Sequence, residues 1–144
     1  MLLEIAIGDA YGAGFEFNET ALDHNDLSRY LDHGLHSISG GQYTDDTQMS
    51  LAVAEALVEG DRWTPVSLAE RFCSVFHRDP RPGYSGGFYD FLQRHITGAA
   101  FVRNMHPRSS KCGAAMRVCP VGLLPFELDV IRKADLQARI THDS

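Results

Sequence analysis

At 144 residues, with 44% hydrophobic and 22% charged side chains and a formal net charge of -6, the chain is long enough for one domain with its own core and too apolar for disorder. The acidic balance argues against broad nucleic-acid binding, and no apolar run approaches the length of a membrane span. Met1-Leu2-Leu3-Glu4 lacks the basic region and long apolar stretch of a signal peptide, so the expectation is a cytoplasmic protein with neither nucleic acid nor membrane as partner.

Residues 2 to 13 predict a helix of small and apolar side chains, with Gly8 and Gly12 one turn apart. Glycine weakens a helix, so this pair suggests a face on which another backbone or a ligand comes close. Glu16 follows between Phe15 and Phe17. A carboxyl in such an aromatic setting would have a raised pKa and suit acid or base work, while an exposed loop position is the ordinary alternative. Leu27, Tyr30 and Leu31 predict a short helix from Asn25 to His33, stopped by Gly34. His24, His33 and His36 lack the i, i+4 spacing of a helical metal site and read as surface or packing residues.

Gly40-Gly41 turns the chain into Gly41-Gln42-Tyr43-Thr44-Asp45-Asp46-Thr47-Gln48-Met49. Met49, Ala52, Val53, Ala56 and Leu57 then keep the spacing of one buried helical stripe, and Gly60 stops it. A hydroxyl and two carboxylates therefore sit in the first helical turn. The simplest role for them is capping, which the helix dipole favours. A cap uses one acceptor, however, and neighbouring like charges repel unless a positive group lies between them. Thr44, Asp45 and Asp46 are all oxygen donors with no Cys or His beside them, a set suited to a hard cation such as Mg²⁺, Mn²⁺ or Ca²⁺.

Thr64 as cap and Pro65 as first residue open the next helix, with Leu68, Ala69, Phe72, Val75 and Phe76 as its buried stripe. Residues 78 to 87 are too rich in Gly, Pro and charge for a core element. Phe88, Phe91, Leu92, His95 and Ile96 resume helical spacing, with His95 read as a core histidine and Gly98 as the end of the run. Residues 99 to 112 read as irregular. Ser110, Lys111, Cys112 and Gly113 lead into a short helix at 114 to 117, where hydroxyls, free N–H groups and a Lys would suit a phosphate, with a Ser-capped connector as the ordinary alternative. A last helix is expected from about 127 to 138. No stretch alternates long enough to need a strand, so the expected fold is all-α, a compact multi-helix single domain over residues 1–144. Cys73, Cys112 and Cys119 suggest neither a disulfide framework nor a zinc site. Thirteen Asp and Glu precede Arg71, against Arg29 and Arg62 alone, whereas Arg71 to Arg117 is basic; this is either an acidic half for cations beside a basic half for a diphosphate or a chance segregation of surface charge.

Four landmarks, Gly8-Asp9-Ala10-Tyr11-Gly12 with Glu16, Tyr43 to Met49, Cys112 to Leu123 and Thr141-His142, together resemble the N-terminal half of the ADP-ribosylglycohydrolase family, which includes the dinitrogenase reductase-activating glycohydrolases. The resemblance implies a metal-dependent hydrolase that cleaves the glycosidic bond between ADP-ribose and a protein side chain. Thr44, Asp45 and Asp46 would hold Mg²⁺ or Mn²⁺, and Glu16, Asp45 and Asp46 would serve catalysis. Ser110, Lys111, Cys112, Gly113 and His142 would bind the substrate, although the family usually carries Asn-Gly where this chain has Cys112-Gly113. Family members are roughly twice as long and add a second Asp-x-Asp-Thr motif, which is missing here. The resemblance thus implies at most half of a two-metal site, completed by a homodimer partner or a complementing C-terminal chain. The alternative is an inactive, truncated homologue that binds ADP-ribose or a protein.

Overall fold

The computed structural model describes residues 1–143 and is all-helical, with no strand among them. In chain order the elements are α1 (Leu2–Gly12), a 3-10 turn (Glu19–His24), α2 (Asp45–Val58), α3 (Pro65–Arg78), α4 (Gly86–Arg94), α5 (Gly98–Asn104), α6 (Gly113–Met116), a 3-10 turn (Cys119–Leu123) and α7 (Glu127–Arg139).

The centre is the pair α2 and α3. Met49, Ala52, Val53 and Ala56 form the buried stripe that the spacing predicts, and Leu68, Ala69, Phe72, Val75 and Phe76 answer it from α3. Fully burying a Phe of this kind stabilises the fold by about 2–3 kcal/mol. Arg71 pairs with Asp61 through two 3.0 Å bonds, and Arg78 reaches Glu55, so charged clasps close the same seam at the surface. Thr64 caps α3 as expected, its hydroxyl accepting the Ser67 N–H at 3.2 Å with Pro65 in the first turn. α1 packs on α2, α5 on α3, and the Cys119–Leu123 turn lies between α2 and α7. Trp63 ties α7 to the centre by donating to the Lys133 carbonyl at 3.2 Å. His95 stacks on Phe91 and bonds its carbonyl, as a packing histidine would.

Two sequence expectations fail. The segment Asn25 to His33 forms no helix. The Tyr11 hydroxyl donates to Asn25 Oδ1 and accepts the Leu27 N–H, Asp26 accepts the Ser28 N–H, and Leu27 adopts φ 63°, so side chains take the backbone groups that a helix would need. Gly98, read as a stop, instead opens α5. Thr97 caps it by accepting the Ala100 N–H at 3.2 Å, the Gly98 N–H bonds Glu70 of α3, and Phe101 anchors it in the core. No helix among the described residues is long and apolar enough to cross a membrane.

Candidate functional site

Asp9, on the last turn of α1, sits where α2 begins. Its Oδ2 accepts the Thr44 N–H (2.8 Å), the Thr47 N–H (3.1 Å) and the Thr47 hydroxyl (2.6 Å), while Oδ1 accepts the Thr44 hydroxyl at 2.6 Å. Asp9 therefore does the work of an N-cap from another helix. The capping role that the sequence suggests for the first turn of α2 is taken, and Asp45 and Asp46 are left over. Asp9 stands in the sequence landmark but carries no site role in the sequence reading; only its packing against α2 reveals one.

Asp45 and Asp46 line a cavity of about 1070 Å³ together with Asp9, Glu16 and Thr44. Burial, reinforced by the neighbouring Asp46 charge, pushes the Asp45 carboxyl up to about 7. Burial and the charges of Asp9 and Glu16 push Asp46 up to about 6. Such shifts mark a place that is short of positive charge. Gly83 closes over Thr44 and Asp45 at φ 108°; a Cβ there would overlap Asp45 Oδ1 and come within 2.8 Å of Thr44 Cβ. The Gly83 loop is held in turn by Tyr84, whose hydroxyl donates to Gln48 Oε1 at 2.8 Å, while the Gln48 amide donates to the Asp79 carbonyl. Gly8 and Gly12 also line the cavity, and open space faces both, so no backbone packs on them.

Glu16 reaches the cavity wall, but no aromatic pocket forms around it. Its side chain is 59% exposed and Phe17 is 68% exposed. The same cavity is lined by Ser109, Lys111, Cys112, Gly113, Arg117, Thr141 and His142. Ser110, expected to bind the substrate, does not line the cavity; Ser109 does. The Ser109 N–H donates to the Thr141 carbonyl (3.2 Å) and its hydroxyl accepts the Lys111 N–H (3.2 Å), which turns the loop that way.

Thr141 and His142 are buried. Arg117, 2% exposed, lies over the Phe72 ring and donates to Gln137 Oε1, the Gln137 carbonyl and the Thr141 hydroxyl at 2.7–2.8 Å. Burial pulls its guanidinium down to about 10. The Thr141 hydroxyl, already accepting from Arg117, turns its own proton to His142 Nδ1 at 2.7 Å. Nε2 then carries the ring proton and donates to the Lys111 carbonyl at 2.9 Å. Both His142 nitrogens are thus engaged, Nδ1 by Thr141 and Nε2 by the Ser109 to Gly113 loop, and burial pulls the imidazole pKa down.

The described residues contain no group of three His, Cys, Asp or Glu placed to hold a metal ion by themselves. Asp45, Asp46 and the lone pairs of the Thr44 hydroxyl are the oxygen set available, and all-oxygen donors of this kind suit a hard cation.

The ADP-ribosylglycohydrolase family model matches residues 1–144. Similar proteins include ADP-ribosylhydrolase ARH3 of Xenopus tropicalis, 31% identical over 99% of this chain and 44% of its own length. ADP-ribosyl-dinitrogen reductase glycohydrolase of Rhodospirillum rubrum is 30% identical over 98% of this chain and 49% of its own length, and an Archaeoglobus fulgidus protein is 30% identical over 98% and 48%. The chain spans about half the length of the curated relatives it matches. It belongs to the ADP-ribosylglycohydrolase family.

Proposed function

We propose that this chain carries the cation- and nucleotide-binding half of a metal-dependent ADP-ribosylglycohydrolase site, acting on the glycosidic bond that joins ADP-ribose to a protein side chain. The observation that carries the reading is the division of labour at α2: Asp9 satisfies the helix start, and two half-buried carboxylates, Asp45 and Asp46, line the cavity with no cap to form. Thr44, Asp45 and Asp46 would hold Mg²⁺ or Mn²⁺, which when bound supplies Lewis-acid polarisation and an acidified water. Lys111 and the Ser109 to Gly113 loop would receive the diphosphate across the cavity, braced by His142. Glu16, at the rim, would take or return the proton of the water or leaving group. Further ligands would come from the part of the family fold that this chain does not span.

The test is calorimetric titration of the chain with ADP-ribose, with Mg²⁺ and again with EDTA. Binding that requires the metal supports the reading and calls for assays of ADP-ribose release from modified protein. Absence of binding in both conditions, alone and in the presence of a complementing C-terminal half, overturns it.

A further inference from the structure

His33 takes no part in the machinery described above, yet its side chain is 1% exposed and faces Glu16. Its Nδ1 accepts two backbone N–H groups, from Leu35 at 2.9 Å and from His36 at 3.1 Å. A ring nitrogen that accepts two N–H bonds carries no proton, so the proton of the neutral ring is on Nε2. Nε2 lies 3.4 Å from Glu16 Oε2, long for such a bond but with its direction set: imidazole donates and carboxylate accepts. The loop that fixes the tautomer is itself fixed. The His33 N–H donates to the carbonyl of buried Ile38 at 3.0 Å, and Gly34 packs so tightly on the turn after Glu16 that a Cβ would meet the Phe17 carbonyl at 2.9 Å. Phe17 bends back at φ 53°, which makes this turn an unusual one that needs outside support.

We infer that His33 is a positioning residue for Glu16, a neutral imidazole locked as an Nε2–H donor by its own loop and pinning one carboxylate oxygen at the cavity rim. The inference rests on the reading of Glu16 as the acid–base group. A neutral donor suits that role, because it orients the carboxylate without cancelling the charge that a base needs. Glu16 Oε1 keeps no protein hydrogen bond among the described residues and stays available to a reacting group.

Long-range proton–nitrogen spectra of the intact labelled chain test the tautomer, and three-bond couplings of Glu16 test the positioning. His33 is expected as a single Nε2–H tautomer whose proton exchanges about ten-fold faster in Glu16→Ala, and Glu16 is expected in one dominant rotamer. His33→Asn keeps an acceptor near Nδ1 for Leu35 and His36 but cannot reach Glu16. It should melt within about 2 °C of the parent while the Glu16 couplings become averaged. An Nδ1–H tautomer, exchange indifferent to Glu16→Ala, or an unaveraged Glu16 in a folded His33→Asn chain each overturns the inference. Release of ADP-ribose separates the two readings: where the complemented site turns over, His33→Asn lowers kcat about ten-fold with KM unchanged. A spectrum as expected with no release by the unsubstituted protein would sink the acid–base role and leave the positioning of Glu16 standing.

Discussion

Asp9 and Thr47 are 38 positions apart in the chain, and Asp9 Oδ2 accepts both the N–H and the hydroxyl of Thr47, at 3.1 and 2.6 Å. One carboxylate from α1 thereby starts α2 and fixes how the two helices meet. Asp9→Ala removes the acceptor for four bonds and leaves the first-turn N–H groups unsatisfied. We expect a loss of about 2–3 kcal/mol in urea unfolding, with Asp9→Asn losing less because its amide oxygen still accepts.

The raised carboxyls make the metal-free chain less stable as pH rises. Below the ordinary Asp value of 3.8 both folded and unfolded chains hold the Asp45 proton and nothing is lost. Between 3.8 and about 7 the folded chain keeps a proton that the unfolded chain has released, so stability falls with pH; above about 7 the whole penalty is present. Asp45→Asn should therefore melt like the parent near pH 4 and above it at pH 8, by an amount on the order of a few kcal/mol. Equal melting at both pH values would contradict the burial of this group.

A cation should act in the opposite sense. With Asp45 and Asp46 as ligands, Mg²⁺ or Mn²⁺ stabilises the native chain by mass action, most strongly at pH 8 where no proton competes. Melting curves with and without EDTA should separate at pH 8 and converge near pH 4, and the double variant Asp45→Asn/Asp46→Asn should show no separation at all.

Gly83→Ala is expected to damage the site more than the fold. The added Cβ overlaps Asp45 Oδ1, and φ 108° is costly for any side chain, so the loop and the carboxylate must part. A stability loss of about 1–2 kcal/mol in urea should accompany at least about a ten-fold loss in metal-dependent ADP-ribose binding by calorimetry.

Thr141→Val keeps the volume of the side chain and breaks the relay from Arg117 to His142. The His142 imidazole then loses the donor that fixes its tautomer, and its hold on the Lys111 carbonyl weakens. Hydrogen exchange should rise over residues 109 to 113, with about 1–2 kcal/mol lost globally, while amides of α3 stay protected.

The helices with a regular apolar stripe were legible from the chain itself. α2 and α3 announced themselves through spacing and through Thr64-Pro65, because a period of buried side chains and a local cap are properties of neighbouring residues. The same holds for the oxygen donors Thr44, Asp45 and Asp46, which are adjacent in sequence, and for the family landmarks. Distance along the chain hid the rest. Asn25 to His33 looks helical until Tyr11 competes for its backbone, and α5 looks irregular until Glu70 and the core receive it. Whether Asp45 and Asp46 are needed to cap α2 turned on Asp9, a residue of another helix. The choice of Ser109 over Ser110, and the burial of Arg117 against Gln137 and Thr141, turned on α7 and the Thr141-His142 pair that follows it. Composition and period determined α2, α3 and the adjacent oxygens at the start of α2. Only the tertiary structure decided which carboxylates were already satisfied, because a hydrogen bond is assigned by distance in space.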